Sequence, residues 1–233
     1  MVIDIPSPID LRLMAHASAW AESAMVKRPW RSKFFQAFVD AIASDFANDH
    51  GHELAAVSGA GTGVELREDN QCGVSASVRI LELGSGPGFL AQALLQAFPS
   101  SQYVALDFSA AMHQLAKQRL GLASARVNFV QRSFKQADWT LDLPEIDCVV
   151  TLQAVHELRH KAHAVALHRQ VKAILQPHGH YYVCDHYAGE GGMGNTELYM
   201  TVSEQKAALH AAGFSSVKVL LQGQGLVLHQ ASP

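Results

Sequence analysis

From residue 78 onward, short apolar runs alternate with longer stretches whose apolar positions recur three and four apart, and this rhythm predicts strands alternating with helices. The strand-like runs cover 78–83, 103–108, 126–131, 146–152 and 180–184, with helices near 89–98, 109–120 and 157–175 between them. Apolar runs connected by helices point to a parallel sheet covered on both faces. Ser109 is placed to cap the helix that follows it, and Gly121 to stop that helix. A further helix over 203–212, ended by Gly213, precedes strand-like runs at 216–221 and 226–230. The short Gly-Gln-Gly turn between those two runs makes them an antiparallel closing hairpin.

The first 50 residues read differently. Leu11, Leu13, Met14 and Trp20, then Trp30, Phe34, Phe35, Phe38, Val39 and Ile42, follow helical spacing, with Pro29 starting the second helix. The stretch 48–77 is rich in Gly, Ala and Ser without a clear period, as expected of a linker or mobile loop holding at most a short strand. The chain thus divides into a helical extension over 1–50, a linker over 51–77 and an α/β domain over 78–233.

Composition narrows the function classes. At 233 residues and 48% hydrophobic content the chain fits one domain plus an accessory segment. A net charge of -3 without a long basic run offers no electrostatic reason to bind nucleic acid. No run of 18 apolar residues and no leader pattern occur, so a cytoplasmic protein without a membrane partner is expected. The three cysteines, Cys72, Cys148 and Cys184, are odd in number and scattered, which argues against a disulfide framework or a Cys-x-x-Cys metal site.

The candidate chemistry begins at 78–88, VRILELGSGPG. A strand that opens into a glycine loop and then a helix can aim backbone N–H groups at a nucleotide-like ligand. A dinucleotide fingerprint would need its third glycine at position 89, which is Phe89, so a nicotinamide cofactor is disfavoured. The next strand ends in Asp107, about where an acid accepts from ribose hydroxyls.

These residues resemble the class I methyltransferases that use S-adenosylmethionine. The family loop E/D-x-G-x-G-x-G is matched by Glu82, Gly84, Gly86 and Gly88, and the family's ribose-binding acid by Asp107. The similarity covers about two thirds of the chain, from residue 78 to 231. It implies a seven-stranded Rossmann-like, mostly parallel sheet of order 3-2-1-4-5-7-6 with the last strand antiparallel and helices on both faces. It also implies S-adenosylmethionine as cofactor, held by Glu82, Gly84, Ser85, Gly86, Gly88, Asp107, Phe108, Met112, Ser133, Phe134 and Gln153. Many relatives carry an acid after the third strand for the adenine amino group. Here Arg132-Ser133-Phe134 stands in its place, so Ser133 would take that bond and Phe134 would lie against the ring, unless Asp138 reaches it from the following loop.

The implied activity is methyl transfer to the O-, N- or C-nucleophile of a small molecule. The alternative is a protein that binds S-adenosylmethionine or S-adenosylhomocysteine without transfer. His156, at the exit of the fourth strand, is the first candidate base, and His186, after the fifth, the second. Residues 156–160, HELRH, also match the zinc-protease signature, which requires a helix and a third ligand. The motif sits instead at a strand exit. His156, His160, His163, Asp185 and His186 cluster near these strand ends, yet surface histidines are the simpler reading and no metal is expected. Trp20, Trp30 and Phe34 either pack on the sheet domain or form a lid over the acceptor, the residual role for the N-terminal helices.

Overall fold

The computed structural model describes residues 2–57 and 77–233. Seven strands, β1 (Arg79–Leu83), β2 (Gln102–Asp107), β3 (Val127–Gln131), β4 (Ile146–Leu152), β5 (Leu175–His186), β6 (Ser216–Gly223) and β7 (Leu226–Ser232), form one sheet of order β3-β2-β1-β4-β5-β7-β6. β7 runs antiparallel to both β5 and β6, and the other pairings are parallel. The helices are α1 (Met14–Lys27), α2 (Arg31–Val57), α3 (Phe89–Ala97), α4 (Ala110–Leu120), α5 (Ala164–Ile174) and α6 (Val202–Ala211). The expected strand order is the observed one.

Alternate side chains of each central strand enter different cores. Ile80, Cys148, Val150, Tyr182 and Cys184 face Phe34, Phe38 and Ile42 of α2 and Leu90 and Leu94 of α3. Leu81, Leu83, Val149, Tyr181 and Val183 face Leu167 and Val171 of α5 and Leu209 of α6. Both faces are apolar because both are covered, so the central strands β1, β2 and β4 are buried almost continuously rather than alternately. Ser109 caps α4 by accepting from the Met112 N–H, and Thr201 with Glu204 builds a complete capping box on α6. Gln224 and Gly225, both at positive φ, close the β6–β7 hairpin.

Four expectations need correction. Residues 9–13 are not helical, since α1 begins at Met14. Part of the expected linker is helix, as α2 runs to Val57, and the remainder, 58–76, lies outside the described residues. The helix expected over 157–175 is broken into 3-10 turns at Val155–Leu158 and Lys161–His163 before α5 begins, with Arg159 at φ 71 between the turns. β5 starts five residues before position 180, at Leu175, and absorbs Pro177 and Gly179 at a register shift opposite Ile146 and Cys148.

Candidate functional site

A cavity of about 280 Å³ lies over the carboxyl ends of β1, β2 and β4. This is where open parallel sheets present ligands. Every residue expected at the cofactor site or at the chemistry lines it except Gly88, which serves as the N-cap of α3. Asp138 is exposed and does not reach the cavity.

The glycine loop works by leaving room. A Cβ on Gly84 would meet the Ala154 Cβ at 2.4 Å, so the absence of a side chain lets the loop after β1 close on the loop after β4. Gly86, at φ +53, lines the cavity and has nothing within 4 Å of where its Cβ would stand. The expectation that the loop's amides aim at a ligand is corrected. The Gly84 and Ser85 N–H groups donate to the Leu106 carbonyl at 2.8 and 3.1 Å, and Gly88 donates to Ser85. Gly86 donates to the Asp107 carboxylate at 2.8 Å.

Asp107 therefore fastens the loop, accepting from Ser109 N–H at 2.9 Å as well. Burial pushes its carboxyl up to about 6, although those N–H bonds favour the charged form. Glu82 is more extreme. Burial, with the Asp107 charge nearby, pushes it up to about 8 against the opposing effect of the Tyr103 hydroxyl, which donates to it at 2.7 Å. Phe108, Met112, Ser133 and Phe134 supply the side wall. The Arg12 guanidinium lies 5.1 Å from the Phe108 ring centroid.

The other end of the cavity is built by the exits of β4 and β5. Gln153, at φ 55, turns the chain after β4 and sets its Nε2 2.9 Å from His186 Nε2. Left-handed backbone in Gln153 and Arg159 is unfavourable for residues with a Cβ, and such conformations gather at functional sites. The turn between them holds His156, whose Nδ1 lies 2.7 Å from Asp185 Oδ1 and whose Nε2 lies 3.4 Å from Glu157 Oε1. Burial disfavours the imidazolium, but the two carboxylates outweigh it and raise His156 to about 10. His186 moves the other way. Burial, helped by the charges of His156 and Arg28, lowers it although Asp185 pulls it up, and its Nδ1 is buried without a partner.

The roof comes from the N-terminus. Arg159 donates to the carbonyls of Ile5 and Pro6 at 2.8 and 2.7 Å, and the Ser109 hydroxyl donates to the Leu11 carbonyl at 2.5 Å. Trp20 lines the cavity, whereas Trp30 stacks edge-to-face on Phe34, which is buried in the core under α2. Arg31, the first residue of α2, also lines the cavity, with Nε and Nη1 buried and unpartnered. Neither Arg31 nor the roofing segment 7–12 carried a signal in the chain, because both reach the site through tertiary packing.

The H-E-x-x-H match has no metal-site geometry. Its two histidines are not on one helix, and His160 pairs with Glu197 while His163 pairs with Asp4. Among the described residues no three His, Cys, Asp or Glu side chains are placed to hold a metal ion, and no helix is long and apolar enough to cross a membrane.

Comparison with known proteins agrees with this geometry. Residues 80–179 match the methyltransferase domain family. Malonyl-[acyl-carrier protein] O-methyltransferase of Bacillus anthracis is 28% identical over 107 residues, 46% of this chain and 39% of that protein. The same enzyme of Bacillus cytotoxicus is 47% identical over 45 residues, 19% of this chain and 16% of its own. The matched stretches thus span well under half the length of these relatives. Among solved structures, DhpI in complex with SAH superposes at a TM-score of 0.62 with 19% identity, covering 95% of each chain. Human N-acetylserotonin methyltransferase in complex with SAM gives 0.54 with 18% identity, covering 66% of this chain and 47% of that one. The match over 80–179, the glycine loop and the 3-2-1-4-5-7-6 sheet together show a methyltransferase domain with the class I fold.

Proposed function

We propose that this chain catalyses S-adenosylmethionine-dependent methyl transfer to an oxygen of a small molecule, with the acceptor presented to His156 at the β4 and β5 end of the cavity. One observation carries the reading. Ser85 Oγ, Gln153 Oε1, His186 Nδ1 and two nitrogens of Arg31 are buried without partners, and all belong to residues lining this one cavity. Buried polar atoms in folded proteins are normally satisfied, so five of them on the wall of one cavity support a polar ligand there.

The residues fit the cofactor. Gly86 leaves open space, Asp107 offers an acid to a ribose, and Phe108, Met112 and Phe134 offer apolar surface to a base. Glu82 offers a carboxyl that an ammonium group would hold ionised. S-adenosylmethionine, when bound, supplies a methyl group on a positively charged sulfur. The protein's task is then to exclude water and align the acceptor. Trp20 and residues 7–12 do the first, as the part of the N-terminal extension that covers the site.

His156 does the second. At neutral pH it is an imidazolium between Asp185 and Glu157, suited to orienting an acceptor oxygen that arrives ionised. Acting instead as a base would require its neutral form, which both carboxylates oppose. The names of the Bacillus relatives, O-methyltransferases acting on a malonyl group, favour oxygen as the accepting atom. The reading sets the enzyme in the cytoplasm, consistent with Cys148 and Cys184 being free thiols.

The test is turnover, followed as S-adenosylhomocysteine formed and methylated product by mass, across carboxylates, acidic phenols, alcohols and amines. Ionised oxygen acceptors are expected to be methylated first. Tight binding of S-adenosylhomocysteine with no turnover on any class would leave a cofactor-binding protein instead.

A further inference from the structure

Arg31 is 4% exposed, and its guanidinium carbon lies 5.8, 5.6 and 5.4 Å from the ring centroids of Trp20, Phe35 and Phe89. Those rings hold the group in place and keep water off it. Cation–π contact compensates part of the lost hydration, but a buried cation without an anionic partner remains unfavourable. Nε and Nη1 have no acceptor, and each is a strong donor to an anionic oxygen.

Among the described residues no acid pairs with Arg31. Glu82 lines the same cavity, yet it forms no ion pair with Arg31, and burial leaves it protonated at neutral pH. Burial, helped by the charge of Arg28, a further cation on the wall, lowers Arg31 to about 10. Arg31 stays charged at neutral pH even so. A fixed cation beside a neutral carboxylic acid is the complement of an amino-acid zwitterion: carboxylate toward the first, ammonium toward the second.

We propose that Arg31 binds the carboxylate of the amino-acid end of the cofactor, an inference that rests on the function proposed above. The guanidinium is carried by α2, outside the sheet domain, so cofactor binding and the packing of the N-terminal helices are coupled through one side chain. An acceptor carrying its own carboxylate is the competing occupant.

The test is isothermal titration of S-adenosylhomocysteine and of 5′-methylthioadenosine, which keeps the nucleoside and thioether and lacks the amino acid. Arg31→Gln is expected to weaken S-adenosylhomocysteine about tenfold or more, the scale of a lost charge-assisted bond. Its affinity for methylthioadenosine is expected to stay within about twofold, and Arg31→Lys to recover part of the loss. Equal loss of both ligands would make Arg31 a packing element and overturn the inference. So would unchanged S-adenosylhomocysteine affinity with a raised KM for a carboxylate acceptor, which would assign the group to the acceptor. Wild-type protein that binds neither ligand refutes the proposed function itself, a different result from a silent variant.

Discussion

His156 and Asp185 meet twice: the imidazole Nδ1 lies 2.7 Å from Oδ1, and the His156 backbone N–H donates to Oδ2 at 2.8 Å. One carboxylate thus holds both the ring and the turn that carries it. Asp185→Asn should remove the counter-charge and leave a buried imidazolium, destabilising the fold by about 3 kcal/mol, the lower range for breaking a buried pair. Urea unfolding measures this. In the same variant the His156 resonance in NMR should titrate far below about 10.

The same pair sets a pH dependence whose sign follows from the direction of the shift. His156 is raised from 6.5 to about 10 in the folded protein, so its contribution to stability is complete below about 6.5 and is lost as pH rises through about 10. Asp185, Glu157, His186 and Tyr199 face the ring, and the two carboxylates outweigh the rest. With a carboxylate acceptor, turnover should stay level from about pH 7 to 9 and fall through about 10. A rise in turnover through that range would assign His156 as a general base instead.

Glu82 should report ligand binding through protons. The free carboxyl is protonated below about 8, and a bound ammonium would favour its ionised form. Titration of S-adenosylhomocysteine at pH 7 in buffers of different ionisation enthalpy should therefore show release of up to one proton, vanishing above about pH 9. Glu82→Gln should abolish the release. Proton uptake, or release that persists in that variant, would place the ammonium elsewhere.

The fold and most of the site were legible because they depend on local order. The alternation from β1 to β5 and the glycine spacing are written in consecutive residues, and so the strands and the part of the cavity wall at the ends of β1, β2 and β4 could be named, while the sheet order came from the family resemblance. Other features depend on contacts that no local pattern records. Asp185 and His156 are far apart in the chain, and Arg31 is buried only because Trp20, Phe35 and Phe89 converge on it. Arg159 breaks the expected helix at φ 71 although arginine is a good helix former, since its side chain is drawn to the Ile5 and Pro6 carbonyls. Pro177 and Gly179 read as breakers, yet an irregular pairing lets β5 pass through them. The loop amides were misread for a similar reason, because nothing in the motif shows that Leu106 and Asp107 already accept from them.

Gly84 and Ala154 give a paired test of the loop packing. Gly84→Ala should lower stability by about 2 kcal/mol or more, since the new methyl overlaps the Ala154 Cβ and the backbone sits at φ +67. Adding Ala154→Gly should restore the part due to the overlap and leave the part due to φ. Thermal melting of the two variants separates the contributions.

Gly86 tests the central claim, that the cavity above the glycine loop is the cofactor site. Isothermal titration of S-adenosylhomocysteine is compared between the wild type and Gly86→Val, whose Cβ meets no protein atom within 4 Å at the cavity wall, with Gly86→Ala as the control for the backbone strain that any side chain meets at φ +53. The expected result is one saturable site per wild-type chain and no measurable binding to a variant that remains folded. Equal affinity in both proteins, or no binding by the wild type, would contradict it.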